Sequence, residues 1–201
     1  MSKINLGDVK ESYTPSEWAL REKEYVQAVS RLEIPDGITT SMIKTIEADM
    51  DNIYTKAALD FGFVNRKFQR FERSRKALEK ELFIVIKSQQ IAGLKTVDEI
   101  GGAVSLVLKA VPVADVMAQK TIDVNLIIYT ICSVLGCPAP ASCVYTPPAV
   151  KAQTLMQAIY LLEERYIFLE QIMDILKTKH GSLIILTGGL KLEASIGPQG
   201  A

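Results

Sequence analysis

The chain has 201 residues, 48% of them apolar, and a mean hydropathy slightly above zero. That is room for one domain or two small ones and enough apolar surface to bury a core, which excludes extensive intrinsic disorder. Lysine plus arginine, 23 in all, balance 23 aspartates and glutamates, which excludes a wholly basic nucleic-acid protein and an acidic tail protein.

The opening Met1–Asp8 has no apolar core of a secretory signal, so a reducing, cytoplasmic site of synthesis is expected, or assembly into a virion made there. Thr14-Pro15-Ser16-Glu17 reads as a helix start: Thr as N-cap, Pro at the first helical position, Glu at the third. The helix is expected to run to about Leu32 and to bury Trp18, Tyr25, Val29 and Leu32. Pro35-Asp36-Gly37 then turns the chain.

Thr39, Thr40 or Ser41 caps the next helix, which is expected to continue to about Ser88. Such a helix is roughly 70 Å long at about 1.5 Å per residue, more than an ordinary small domain spans, so it protrudes or kinks. Gly62 is the expected weak point. Along this helix Met50, Tyr54, Ala57, Phe61, Val64, Phe68, Phe71, Leu78, Leu82 and Val85 recur at heptad steps, interrupted by Arg75. Their spacing places one apolar stripe along the helix, which needs a partner over its length. Phe61, Val64, Phe68 and Phe71 of this stripe form a candidate oligomer seam. Past Leu82 the consecutive Phe83, Ile84, Val85 and Ile86 predict that this end is enclosed on more than one side.

Charge is uneven along the same helix. Between Asn65 and Lys80, Arg66, Lys67, Arg70, Arg73, Arg75, Lys76 and Lys80 stand against Glu72 and Glu79, a local surplus of five positive charges. Arg66, Arg73 and Lys80 lie seven apart with Arg70 adjacent, so they form one ridge opposite the apolar stripe. A ridge of this kind tracks phosphates with salt-dependent, sequence-independent affinity, or faces acidic surface on a protein partner. Most of the interleaved phenylalanines belong to the stripe and are not free to stack on bases.

Thr96-Val97-Asp98-Glu99 is a second capping box, opening a helix expected to end near Ala110. Gly101-Gly102 in its first turns costs about 1 kcal/mol per glycine relative to alanine, with close helix packing as the expected compensation. A further helix is expected from Pro112 to Leu135, stopped by Gly136 and Pro138. The apolar run Val124–Leu135 is shorter than the ~20 residues of a bilayer span, which favours a buried core helix. Pro138, Pro140, Pro147 and Pro148 form a stiff connector into a last helix, Pro148 to about Lys179. Its own apolar series is Leu155, Ile159, Leu162, Tyr166, Leu169, Met173 and Leu176.

Gly181 fits a helix C′ residue, with Lys177, Lys179 and His180 suited to the negative helix end. Ser182–Thr187, Gly188-Gly189 and Leu190–Ala194 then read as strand, tight turn and strand, with 197–201 as a tail. An isolated hairpin is marginal in water. Its exposed edge, marked by Ile184 and Leu192, is therefore a candidate for strand addition to a neighbouring subunit.

Candidate chemistry is sparse. Cys132, Cys137 and Cys143 are odd in number and lack the Cys-x2-Cys clusters of structural zinc sites, which favours buried thiols over disulfides or metal. His180 has no serine or cysteine partner nearby in sequence. Glu163, Glu164, Glu170 and Asp174 lack the Glu-x-x-His of carboxylate metal bundles and form a polar helix face. Gly188-Gly189-Leu190-Lys191 lacks phosphate-loop spacing. No catalytic residue, metal site or cofactor is expected.

The expected fold is mainly α: long heptad-patterned helices, as a coiled coil or helical bundle, around a compact apolar helical core, with a small C-terminal β-hairpin. Four segments follow in order: the capped helix and turn (1–37), the long basic-centred helix (38–90), the apolar body with the second long helix (91–180), and the hairpin and tail (181–201). The expected role is a non-enzymatic, self-associating structural or assembly component. Its layout looks like that of small assembly, connector or packaging proteins of tailed phages. The alternative is a nucleic-acid-binding packaging or recombination accessory using the basic face at 65–80. Homo-oligomers and other protein subunits are the expected partners, nucleic acid is the second candidate, and no membrane span is expected.

Overall fold

The computed structural model describes residues 6–35, 38–148 and 152–195, with side chains up to 191. The start Met1–Asn5, Asp36 and Gly37 of the predicted turn, the side chain of Leu192 and the tail at 197–201 lie outside the described residues. The described chain is mainly helical: α1 (Pro15–Ser30), α2 (Thr40–Gln89), α3 (Val97–Leu108), α4 (Val113–Met117), α5 (Val124–Leu135) and α6 (Leu155–Ser195), with a 3-10 turn at Ile91–Gly93. It divides into two compact units. One comprises Met1–Asn65 with Arg165–Ala201, and the other comprises Arg66–Glu164.

In the first unit α1 starts at a complete capping box. The Thr14 hydroxyl accepts from the Glu17 amide at 3.3 Å, and the Glu17 carboxylate accepts from the Thr14 amide at 2.8 Å. Trp18, Tyr25, Val29 and Leu32 are buried as the pattern predicts. α1, the first half of α2 and the second half of α6 form a three-helix bundle. Phe61 on α2 stacks at 4.6 Å on Tyr166 of α6, while Met50 and Tyr54 line one cleft with Leu176, Lys177 and His180, so α2 and α6 run antiparallel. Trp18 meets Phe168 edge-on, and the Lys179 ammonium reaches the Leu32 carbonyl at 2.8 Å, so α1 runs with α6.

The buried stripe of α2 is Ile43, Ile46, Met50, Ile53, Ala57, Asp60 and Val64. It follows the alternating steps of three and four but sits one residue earlier than predicted at two positions. Ile53 is fully buried where Tyr54 is 40% exposed, and Asp60 is fully buried where Phe61 is half-buried. On α6 the same shift puts Arg165 and Ile172 in the core in place of Tyr166 and Met173. α2 runs unbroken through Gly62.

The second unit encloses Phe71, Leu78, Leu82 and Ile86 of α2 with Ile91, Ile100, Val104, Val107, Ile127, Ile131 and the α6 residues Leu155, Ile159 and Leu162. α3 and α5 pack together. Arg75, the break in the heptad series, is half-buried and neutralised on its own helix by Glu72 at 3.0 and 3.1 Å and by Glu79 at 3.1 Å. Past Leu82, Ile86 is fully buried and Phe83 and Val85 are half-buried, while Ile84 is 65% exposed.

Two helices differ from expectation in their boundaries. The helix predicted from Pro112 to Leu135 is two helices, because Gln119 adopts a left-handed φ of 54° and the Asp123 side chain caps a fresh start by accepting from the Asn125 amide at 2.9 Å. Gly136, left-handed at φ 67°, ends α5 as expected. The last helix begins at Leu155, not Pro148. Thr154 and Gln157 form a reciprocal cap, and two backbone hydrogen bonds, Val113 N–H to Gln153 and Leu155 N–H to Val111, hold the preceding residues extended. Gly101 and Gly102 have no packing compensation, since a Cβ at either meets nothing within 4 Å.

The largest departure is at the C-terminal end. No strand occurs among the described residues, and the predicted hairpin is a continuation of α6 to Ser195. Leu162, Leu169, Leu176 and Leu183 are seven apart and all buried, so continuing the helix carries the seam onward, whereas a two-stranded ribbon is marginal. The hydroxyls of Thr178, Ser182 and Thr187 donate to carbonyls four residues back, at 2.9, 3.2 and 2.7 Å, and are satisfied inside the helix. Gly181 is therefore no C-cap, and Lys177, Lys179 and His180 do not lie at a helix end.

Candidate functional site

The most unusual chemistry of the chain is a buried polar cluster in the three-helix unit. Asp60 takes a seam position of α2 and is fully buried, so its charge needs donors from the neighbouring elements. It receives three: Arg21 Nε at 2.8 Å and Tyr25 O–H at 2.6 Å from α1, and Tyr13 O–H at 2.8 Å from the segment before α1. Arg21, 3% exposed, lies over the Tyr25 ring and also donates to the Gly7 carbonyl at 2.8 Å and Glu24 at 3.0 Å. Lys56 of α2 donates to the carbonyls of Leu6 and Gly7. Residues 6–13 are thus strapped to the bundle by cations from two helices, with buried Leu6 as an apolar anchor.

A second buried guanidinium lies beside the first cluster. Arg165 of α6 is 7% exposed, stacks 4.9 Å from the Trp18 ring centroid and donates weakly to the Tyr13 carbonyl at 3.5 Å. Its Nε and the remaining Arg21 nitrogen are buried without a protein acceptor. Trp18 in turn donates to Glu22 at 2.6 Å.

The electrostatics follow from these contacts. Burial lowers the Arg165 pKa, with Glu22 opposing it. Burial is the largest influence on Arg21 and depresses it, but Asp60, Tyr25 and Glu24 together outweigh burial and the net shift is upward. Tyr25 is raised by burial and then by its bond to Asp60. Tyr13 is raised in the same way against the Lys10 amide. Asp60, enclosed and holding three donors, is built to orient its neighbours and offers no open face to a substrate. One carboxylate thus joins three elements, the segment before α1, α1 and α2.

The residues predicted from sequence fall elsewhere. Val64 and Phe71 of the oligomer seam are buried within the chain itself, Phe61 is half-covered by Tyr166, and Phe68 is half-buried. Arg66, Arg70, Arg73 and Lys80 are all exposed on α2 in the second unit. Ile184 is 58% exposed but on a helix, so the strand-addition edge of Ile184 and Leu192 does not exist as strand.

Cys132 is buried and its thiol is pushed up to about 11 by burial, then by Cys137. Cys143 donates to the Asn125 carbonyl at 3.5 Å. Among the described residues no cluster of three or more His, Cys, Asp or Glu is placed to hold a metal, and no helix is long and apolar enough to cross a membrane. His180 lines a shallow cleft of about 220 Å³ with Met50, Asp51, Tyr54, Leu176 and Lys177.

Sequence reasoning missed Asp60, Arg21 and Arg165. The available signal was their spacing: Asp60 is three residues past Ala57 and four before Val64, and Arg165 is three past Leu162 and four before Leu169. No protein-family model, curated protein or solved structure matches the chain.

Proposed function

We propose that the chain is a non-enzymatic, self-associating helical protein that serves as a structural or assembly component. The observation that carries this reading is the run Ile184, Ile185 and Leu186 on α6, which are 58, 76 and 40% exposed beside fully buried Leu183. Large aliphatics exposed at three consecutive positions are suited to cover by a partner. A viral setting is not required, since the likeness to tailed-phage assembly proteins rests in part on a β appendage, and that segment is helical. Light scattering coupled to gel filtration tests the proposal. A mass of two or more chains at tens of micromolar is expected, and a monomer across that range refutes it.

A second reading is supported by the exposed ridge Arg66, Arg70, Arg73 and Lys80. If the ridge contacts phosphate, replacing Arg66, Arg70 and Arg73 by Gln lowers both nucleic-acid affinity and its salt dependence. No binding at about 50 mM salt leaves the ridge to protein partners.

A further inference from the structure

We infer that the C-terminal half of α6 is a two-fold self-docking face, on which α6 of one copy packs antiparallel against α6 of a second copy about Gly181. This rests on the self-association proposed above and names its surface and partner. Glu170, Lys177, Ile184 and Lys191 are seven apart and all exposed, so they form one stripe beside the buried seam Leu169, Leu176 and Leu183. The next stripe outward is Ile167, Asp174, Gly181 and Gly188, also exposed. The first unit uses neither stripe for its own core.

The order of charges along this face selects the partner. Two acids, Glu170 and Asp174, lie at one end with Lys177 paired to Asp174 among them, and Lys191 lies at the other, with Gly181 and Ile184 between. A parallel copy sets Glu170 against Glu170 and Asp174 against Asp174. An antiparallel copy crossing at Gly181 sets Glu170 and Asp174 beside Lys191 of the second copy, twice by symmetry, as an isologous contact requires. Lys177, already held by Asp174 at 2.9 Å, then lays its aliphatic stem over Ile184 of the second copy. Gly181 and Gly188 carry no side chain, and a Cβ at either meets nothing within 4 Å of their own chain. Their bareness serves close approach by a second helix.

The test is a set of single substitutions on the full chain, read by light scattering, with helical circular dichroism as the control for folding. Ile184→Glu is expected to give a monomer of unchanged helicity. Lys191→Glu and Glu170→Lys alone each weaken the dimer about 3- to 30-fold, and together recover part of the loss, because the exchanged pair is again complementary while Asp174 is unchanged. Gly181→Cys forms an intermolecular disulfide between the two introduced thiols under air oxidation, oxygen being the electron acceptor, and peptide mass mapping identifies that link. A wild-type oligomer that persists in Ile184→Glu, fails to link through position 181 and shows no charge-swap rescue overturns the α6 face while leaving self-association standing. A monomeric wild type removes both.

Discussion

Removing the carboxylate of Asp60 tests the clamp most directly. Asp60→Ala leaves the Arg21 guanidinium, 3% exposed, without its buried counter-ion, and leaves the Tyr25 hydroxyl without an acceptor. Breaking a buried pair from one side costs about 3–5 kcal/mol, and an orphaned buried hydroxyl adds about 1–3 kcal/mol. Tyr13 is half-buried and turns to water, so it adds little. A loss of roughly 5 kcal/mol is comparable with the whole stability of many domains. It corresponds to a fall in Tm of more than about 20 °C for a unit of about a hundred residues. Trp18, the single tryptophan, lies in this unit between Arg165 and Phe168, so its emission reports the unit's unfolding during a urea titration. The triple change Asp60→Leu, Arg21→Met, Tyr25→Phe removes every charge and orphan together and is expected to recover most of the loss, since apolar replacement of a whole buried ion pair is often neutral or stabilising. An Asp60→Ala variant that loses less than about 1 kcal/mol refutes the clamp, because a solvated pair is worth no more than that.

Arg165→Met removes the guanidinium that stacks on Trp18, a buried charge that lacks a close carboxylate. Stability is expected to stay within about 1 kcal/mol of wild type or to rise, and a loss above about 2 kcal/mol would mean that the guanidinium has a strong partner. Gly101→Ala and Gly102→Ala fill open space inside α3 and should each stabilise the second unit by about 0.4–1 kcal/mol in thermal unfolding; destabilisation by either would mean that a neighbour closes on that face. The Glu17 carboxylate is held at about 2, below its ordinary 4.5, chiefly by Lys10 and then by the Thr14 amide. A depressed carboxylate stabilises the fold fully above 4.5, and its contribution is lost as pH falls towards 2. Thermal melts of Glu17→Gln should therefore converge with wild type in that window and lie below it at neutral pH. A constant gap at all pH values would rule out the ionised cap.

How much of this protein its sequence reveals depends on the range of the interaction concerned. The capping boxes Thr14–Glu17 and Thr96–Glu99 lie where the sequence places them, because both partners are three residues apart and no other part of the chain takes part. The same signature at Thr154–Gln157 is equally legible and marks the true start of α6. Period is local too, so long amphipathic helices are readable. Phase is not. Neighbours on a helix differ by about 100°, and where apolar residues outnumber seam positions, pattern alone favours Tyr54 and Phe61 over Ile53 and Asp60. A charged residue reads as surface until its partners are known, and those of Asp60 lie at Tyr13, Arg21 and Tyr25, some 35 to 47 residues away.

By itself, then, the chain determined that it would be helical, where three of its helices begin, and that α5 would stop at Gly136. Tertiary structure decided which side of each long helix faces inward, and that a buried aspartate with two buried arginines would occupy the bundle's seam. It also decided the fate of Leu183–Leu186 and the glycines after them. Read alone, that segment favours strand, turn and strand, and about 1 kcal/mol per glycine argues against helix. Within the bundle, Leu183 falls in phase with Leu169 and Leu176, and continuing the helix buries it on a seam that already exists.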